Sequence, residues 1–432
     1  MAATRDAGAE DWTRGADYAF IALIMGLMGA FFWAIRGTGG YGGSTGGLLA
    51  GLGWAAFWYL FSRFGGAAGR RPYGSGRMIA AITFGIAVGG LTGYGVYIGW
   101  LQGRFYLDYP NGVRAVAPWT GYAMLFFCGL HWGGIAGAFM AWCAPRRPLA
   151  WQGWAGRIAA GVCGAVAASL IVRALPQFFL PFYGEGLYEV AEYHTCQRAL
   201  GSIRNIAPHV GLFLGFLCFE LVRRDWRAAA MMVVMALGFA IPFTVGGYWQ
   251  TFHGSELKLA WWKHWEMSIG LGGGLAFGLA FYLFNRSDAR VPWRPVTRKE
   301  RIWGGGFPVW LACGIVFIGA YKGFRDLHGF EWPAAVRVAV TIAYLLVATA
   351  VYARWIRQTL KLTEVELADP ATVAVPLWTL IAALALIWAA GYVTSIPTEI
   401  RLANGVLLAL YTVYLLLGTI LLCVLWLRRR YG

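Results

Sequence analysis

Acidic side chains are scarce in this sequence. Aspartate and glutamate number 20 against 36 lysines and arginines, and charged residues of both signs make up 13% of the 432 positions. Soluble domains carry about twice that charged fraction, so a water-facing surface over the whole chain is excluded. Cysteines number seven, Cys128, Cys143, Cys163, Cys196, Cys218, Cys313 and Cys423, and none forms a CxxC pair. That argues against a disulfide scaffold and against zinc binding, and leaves them as small apolar residues. Walker, HExxH and nucleophilic serine motifs are also missing, so ATP hydrolysis and the commonest hydrolytic centres find no support. Residues 1–16 are polar and partly acidic, with no cationic start or small-residue cleavage site, so no signal peptide is expected.

What fills the chain is apolar residues, 59% of it. They fall into about twelve runs, each near the ~20 residues that cross a bilayer. The runs lie near 17–36, 43–63, 78–101, 119–143, 155–176, 207–223, 227–249, 264–285, 302–321, 335–356, 375–394 and 405–427. Aromatic rings such as Trp58, Trp100, Trp119, Trp142, Trp261 and Trp262 stand at run ends, as in aromatic belts at the headgroup level. The expected fold is therefore an all-α polytopic membrane protein in a lipid bilayer.

The net charge of +16 does not mark a nucleic-acid binder, because the basic residues sit in short loops between apolar runs. One alternate set of loops holds Arg63, Arg70, Arg71 and Arg77, then Arg146 and Arg147, then Arg223, Arg224 and Arg227. It continues through Arg286–Arg301, Arg354–Lys361 and Arg428–Arg430. By the positive-inside rule this set faces the cytoplasm, with both termini inside the cytoplasmic (inner) membrane.

An internal repeat is expected. Gly51-Leu through Tyr59-Leu-Phe-Ser-Arg63 aligns with Gly274-Leu through Tyr282-Leu-Phe-Asn-Arg286, and Val96–Gly103 aligns with Val316–Gly323 at a similar offset. The division is a tail over 1–16, a first six-helix half over 17–224 and a second over 225–432. Six spans per copy set both copies the same way up, as in many secondary transporters. This outline, with Ser62-Arg63-Phe64-Gly65 and Arg70-Arg71 after the second span, resembles the major facilitator architecture. That family's motif has an acid which this chain lacks. The resemblance implies a solute transporter with its site between the halves, and says little of the substrate.

Candidate site residues follow from the cost of charge in hydrocarbon. Arg36 precedes a glycine knot, Gly37-Thr-Gly39-Gly-Tyr41-Gly42, whose backbone could approach an anion at a helix start. The knot matches G-x-G-x-x-G, but an apolar helix precedes it, not a strand, and a tight turn between packed helices is the equal alternative. Arg36, Tyr41, Arg173, Arg204 and Arg325 are the substrate-binding candidates. His131, at the centre of the fourth span, and Glu266, opening the eighth opposite Arg36, are the proton-coupling candidates. A histidine bonded to a neighbouring backbone explains His131 equally well. Rows of glycine four apart, at 85/89/93, 129/133/137 and 270/274/278, read first as helix contacts.

Glu185, Glu189 and Glu192 would share a face if 185–198 were helical, but their spacing fits no standard metal site, and no metal or cofactor is expected. Glu220 beside Arg223 and Arg224 reads as a surface ion pair. The functional expectation is a secondary transporter of a polar, anionic small solute, with proton coupling as an option. A membrane-embedded glycosyl or acyl transferase at the outer face and a non-catalytic subunit of a membrane complex are the alternatives.

Overall fold

A computed structural model describes residues 15–38, 43–63, 71–145, 148–257, 259–286, parts of 333–357, and 401–431. The expected spans at 302–321 and 375–394, with Arg325 and Tyr41, lie outside the described residues. The architecture is helical: α1 (Gly15–Thr38), α2 (Gly43–Arg63), α3 (Arg77–Gly89), a short α4 (Ile98–Leu101), α5 (Pro118–Trp142), α6 (Trp151–Ala174), α7 (His194–Val222), α8 (Trp226–Gly246), α9 (Trp261–Phe284) and α10 (Arg401–Tyr431). Six of them, α1 and α5 to α9, are long and apolar enough to cross a membrane. Lipid cannot satisfy open backbone groups, so long apolar stretches close their hydrogen bonds inside helices.

The helices close a ring. α1 packs on α9, α9 on α8, α8 on α5, α5 on α3, α3 on α2 and α2 on α1. Neighbours around the ring run antiparallel. The glycine rows are the seams. A methyl group on Gly274 or Gly270 would collide with backbone of α1, one on Gly133 with the Met235 carbonyl of α8, and one on Gly51 with Thr83 of α3. Such closeness lets van der Waals contact replace the hydrophobic effect, which is absent between helices in lipid. α6 and α7 form a second pair sealed by Gly164, Gly211 and Gly215, and α10 leans on α1 where Gly418 meets Met28.

Aromatic rings fill the ring's interior. Trp33 lies 4.9 Å from Trp132 and 5.8 Å from Trp54, and Trp54 lies 5.0 Å from Phe277 and 5.5 Å from Phe239, centroid to centroid. All five are buried.

The described helices of the two expected halves interlock: α8 and α9, beyond the boundary at 224/225, close the ring with α1, α2, α3 and α5. At the α2–α9 crossing, residues that the repeat aligns touch one another. Trp54 meets Phe277, Trp58 meets Phe281 and Ser62 bonds to Asn285, each 223 positions apart. α1 and α8, the first helices of the two expected halves, differ in their main partners: α1 lies along α9, and α8 lies along α5.

Three expectations about elements need correction. The third span, expected over 78–101, stops at Gly89; a turn, a 3-10 segment (Gly95–Tyr97) and α4 follow. Gly89, Gly90, Gly93 and Gly95 make continued helix costly there. A β-hairpin, β1 (Arg104–Asp108) with β2 (Asn111–Ala115), stands where a plain loop was expected, with Asp108 opposite Asn111 and Arg104 opposite Ala115. Residues 185–198 are not one helix. Glu185 ends a 3-10 turn, turns follow, and α7 begins at His194, well before the expected 207.

Candidate functional site

The break in α3 positions the most unusual polar group in the molecule. α3 ends at Gly89, where the Trp132 ring lies in the place a side chain would take. The chain turns through Gly90-Leu-Thr92, with Thr92 N–H closing on Gly89 O at 3.2 Å. Thr92 is buried and its hydroxyl lies 2.9 Å from Gly89 O and 2.9 Å from Nε2 of His131. His131 is fully buried near the middle of α5, and its Nδ1 lies 2.9 Å from the Phe127 carbonyl. The hydrogen-bond network assigns the proton of the neutral ring to Nδ1, because a carbonyl can only accept. Nε2 is then the acceptor that faces Thr92.

α3 is thus a half-helix, about 20 Å long at 1.5 Å per residue, whose carbonyl end stops beside the centre of a spanning helix. A helix C-terminus carries partial negative charge, so this end favours a proton or another cation. Irregular backbone at such depth is tolerated where protein covers it or where it lines a cavity. Here Trp132 covers Gly89, while Tyr94 stacks on Trp262 at 6.0 Å and meets Phe243 and Trp265 edge-on.

α7 closes the other side. Ser202 Oγ donates to Gly93 O at 2.9 Å. His209, half-buried, brings its ring to 5.6 Å from that of His131, and its Nδ1 lies 2.6 Å from Asn205 O. Pro208, inside α7, interrupts the helix ladder next to His209.

A second polar group joins α1 to α9. Lys263 Nζ donates to Glu266 at 2.6 Å and to the Ala34 carbonyl at 3.1 Å. Glu266, 3% exposed, therefore has its countercharge one helical turn away. This contact sets the end of α1 that carries Arg36 against the start of α9. The structure does not describe the Arg36 side chain. Arg173 is exposed in the last turn of α6, which ends at Ala174 before Pro176 and is not kinked by it. Arg204 is exposed on α7. Neither points into the helix ring. Among the described residues, no cluster of histidine, cysteine or acid is placed to hold a metal ion.

The hairpin caps this end of the molecule. Arg114 pairs with Glu185 and lies 4.5 Å over the Phe182 ring, Tyr109 N–H donates to Thr195 Oγ1 at 2.8 Å, and Phe105 packs on Phe182 and Tyr188. Gln102 Nε2 donates to Gln250 O at 2.6 Å, tying the approach to the hairpin to the end of α8.

The opposite end holds two structural clusters. Glu220, expected at the surface, is 0% exposed and pairs with Arg157 of α6, itself 1% exposed, and with Arg223 at 3.0 Å. The Arg157 guanidinium lies 4.4 Å from the centroid of Trp154 and 4.7 Å from that of Trp142. The correction has a simple cause: the partner is 63 residues away, on another helix. In the other cluster, Asn285 accepts from Tyr73 N–H and Arg71 and donates to Ser62, stapling the loop after α2 to the end of α9. Burial pushes the Tyr73 phenol up to about 12, against the opposing charge of Arg227, whose guanidinium lies 4.6 Å over the ring.

Sequence reasoning singled out His131 and Glu266 but passed over Thr92, Lys263 and the pairing with His209. One signal was available: Gly89-Gly-Leu-Thr92-Gly-Tyr-Gly95 interrupts an otherwise apolar run. No family model, no curated protein and no solved structure matches the chain.

Proposed function

We propose that the chain is a secondary transporter of a polar, anionic small solute, with proton coupling at His131. The observation that carries this reading is the junction of His131 with the broken end of α3. A fully buried imidazole faces a hydroxyl and the carbonyl end of a half-helix near mid-span. Discontinuous helices are a common way to build ion sites in transporters, because their ends offer backbone groups without a charged side chain. Arg36 and Lys263 at the α1–α9 junction are the proposed countercharges for the anion, with Glu266 holding Lys263 in place. The full proposal has twelve spans in two parallel halves, both termini cytoplasmic, in the inner membrane. The α2–α9 register supports the paired halves.

The test is uptake of labelled carboxylates, acidic sugars and phosphate esters into proteoliposomes. Wild-type protein should accumulate at least one class under an inward proton gradient, and His131→Ala should lose that accumulation. No uptake of any class, with the variant indistinguishable from wild type, refutes the reading.

One observation favours the membrane-enzyme alternative. A cavity of about 900 Å³ lies between α8 and α9, lined by Leu237, Ile241, Val245, Leu271 and Leu275, with Trp249 and Ser268 also in its wall. Trp249 Nε1 donates to Ser268 Oγ at 2.9 Å. Such a groove suits the chain of a lipid-linked substrate. Chemical conversion of a lipid incubated with the purified protein would favour this second reading.

A further inference from the structure

We infer that His131 and His209 form a two-histidine proton path, with Thr92 as the positioning residue that follows the charge on His131. This inference rests on the proposed role of His131 and adds the route by which a proton reaches it. Three observations carry it. The two imidazole centroids lie 5.6 Å apart across the α5–α7 contact, with the rings tilted by 46°. His209 is half-buried where His131 is sealed, so His209 is the end open to the surroundings. The Thr92 hydroxyl has one hydrogen and two acceptors, Gly89 O and His131 Nε2, each at 2.9 Å.

The proton count is as follows. With His131 neutral, Nδ1–H donates to Phe127 O, and Nε2 accepts the Thr92 hydrogen. The Thr92 hydrogen first turns to Gly89 O, which frees the single lone pair of His131 Nε2, and a proton taken up at Nε2 of His209, whose Nδ1–H is held by Asn205 O, then passes across the gap to it. Nε2–H of His131 then donates to the Thr92 oxygen. One proton enters, no covalent bond between heavy atoms changes, and the charged ring has every N–H paired. Release runs the same steps backwards. The rotation also gives the last carbonyl of α3 a second donor beside Thr92 N–H, which links the charge on His131 to the helix end.

The groups around the pair are few. α5 carries buried Cys128, α7 carries exposed Arg204, and the turn after α3 carries Tyr94 and Tyr97. Arg77 of α3, Arg227 of α8 and Glu220 of α7 lie at the far ends of their helices, and no charged residue lies in α4. His209 is therefore the ionisable side chain whose ring lies beside that of His131.

The experiment is nitrogen-15 NMR of the full chain, labelled at histidine, in lipid nanodiscs. The chain has only six histidines, and His131→Gln and His209→Gln assign the two resonance pairs. The expected spectrum shows His131 as the Nδ1–H tautomer. The titration midpoint of His209 should move by about half a pH unit or more when His131 is replaced, since like charges this close interact strongly. Thr92→Val should shift His131 Nε2 toward an unbonded acceptor, and Thr92→Ser should restore it. An Nε2–H tautomer, or a His209 midpoint unchanged by His131→Gln, overturns the inference. His209→Gln, on the open side of the pair, is the variant that keeps the test available should His131→Gln not fold: His131 must then stop responding to external pH. Coupled histidines in a protein that moves no solute would uphold this path and sink the transport reading. Uncoupled histidines in an active transporter would do the reverse.

Discussion

Replacing Glu220 by leucine is the sharpest test of how this fold is held together. In the wild type its carboxylate is fully buried and balances Arg157, which is 1% exposed between the faces of Trp142 and Trp154. The variant leaves a guanidinium sealed among rings without its ion-pair partner, with Asp225 alone of the acids acting on it from a distance. Breaking a buried pair from one side costs about 3–5 kcal/mol, and the ring faces return none of it, because they hold Arg157 in the wild type as well. That is on the order of a hundred- to several-thousand-fold change in the folding equilibrium, read by reversible denaturation in mixed micelles. The companion double variant, Glu220→Leu with Arg157→Met, removes both charges and should recover most of the loss, because an apolar pair of similar volume is often as stable as a buried ion pair. A single variant within about 1 kcal/mol of wild type would refute the reasoning, since that is the behaviour of a surface pair.

Other outcomes follow from the same structure. Gly85→Val and Gly89→Val should reduce folded yield sharply, because a methyl on Gly85 would already stand 2.6 Å from the Ala136 Cα and one on Gly89 would meet the Trp132 ring. Gly93→Ala, with nothing within 4 Å, should change stability by no more than about 0.5 kcal/mol. Fluorescence-detected size exclusion after heating separates these cases. Tyr73 keeps its proton in the fold up to about pH 12, while in the unfolded chain it ionises near 10.0. Its contribution is therefore intact below pH 10 and lost as pH rises towards 12. Tyr73→Phe should flatten the fall in melting temperature across that window, and an unchanged slope would contradict the assignment. Arg114→Ala should cost at most about 1 kcal/mol, because the pair with Glu185 is exposed on both sides. Limited proteolysis near the hairpin should then rise while the melting temperature holds.

The sequence carried the helices better than it carried their partners. Apolar runs located α1, α5, α8 and α9 to within a few residues, because lipid demands closed backbone hydrogen bonds over just that length. The same averaging hid the break in α3, where Gly89 to Gly95 read as part of one apolar stretch. The hairpin was invisible because only one of its ten strand residues is buried and they carry no clean alternation. At the site, His131 stood out as an ionisable residue at mid-span. Thr92 and His209 did not, since each matters through a contact 39 or 78 positions away along the chain. Glu220 was misplaced for the same reason, its neighbours in sequence being arginines while its buried partner lies on α6. Arg173 and Arg204, singled out as basic residues near an apolar run, stand exposed on α6 and α7, a placement that sequence position alone does not give.

Proton movement on solute addition tests the central claim most directly. Proteoliposomes loaded with a pH-sensitive dye would receive carboxylates, acidic sugars or phosphate esters in turn. The account predicts that one class acidifies the lumen with wild-type protein and that His131→Gln abolishes the signal. A proton signal of equal size from wild type and His131→Gln would contradict it.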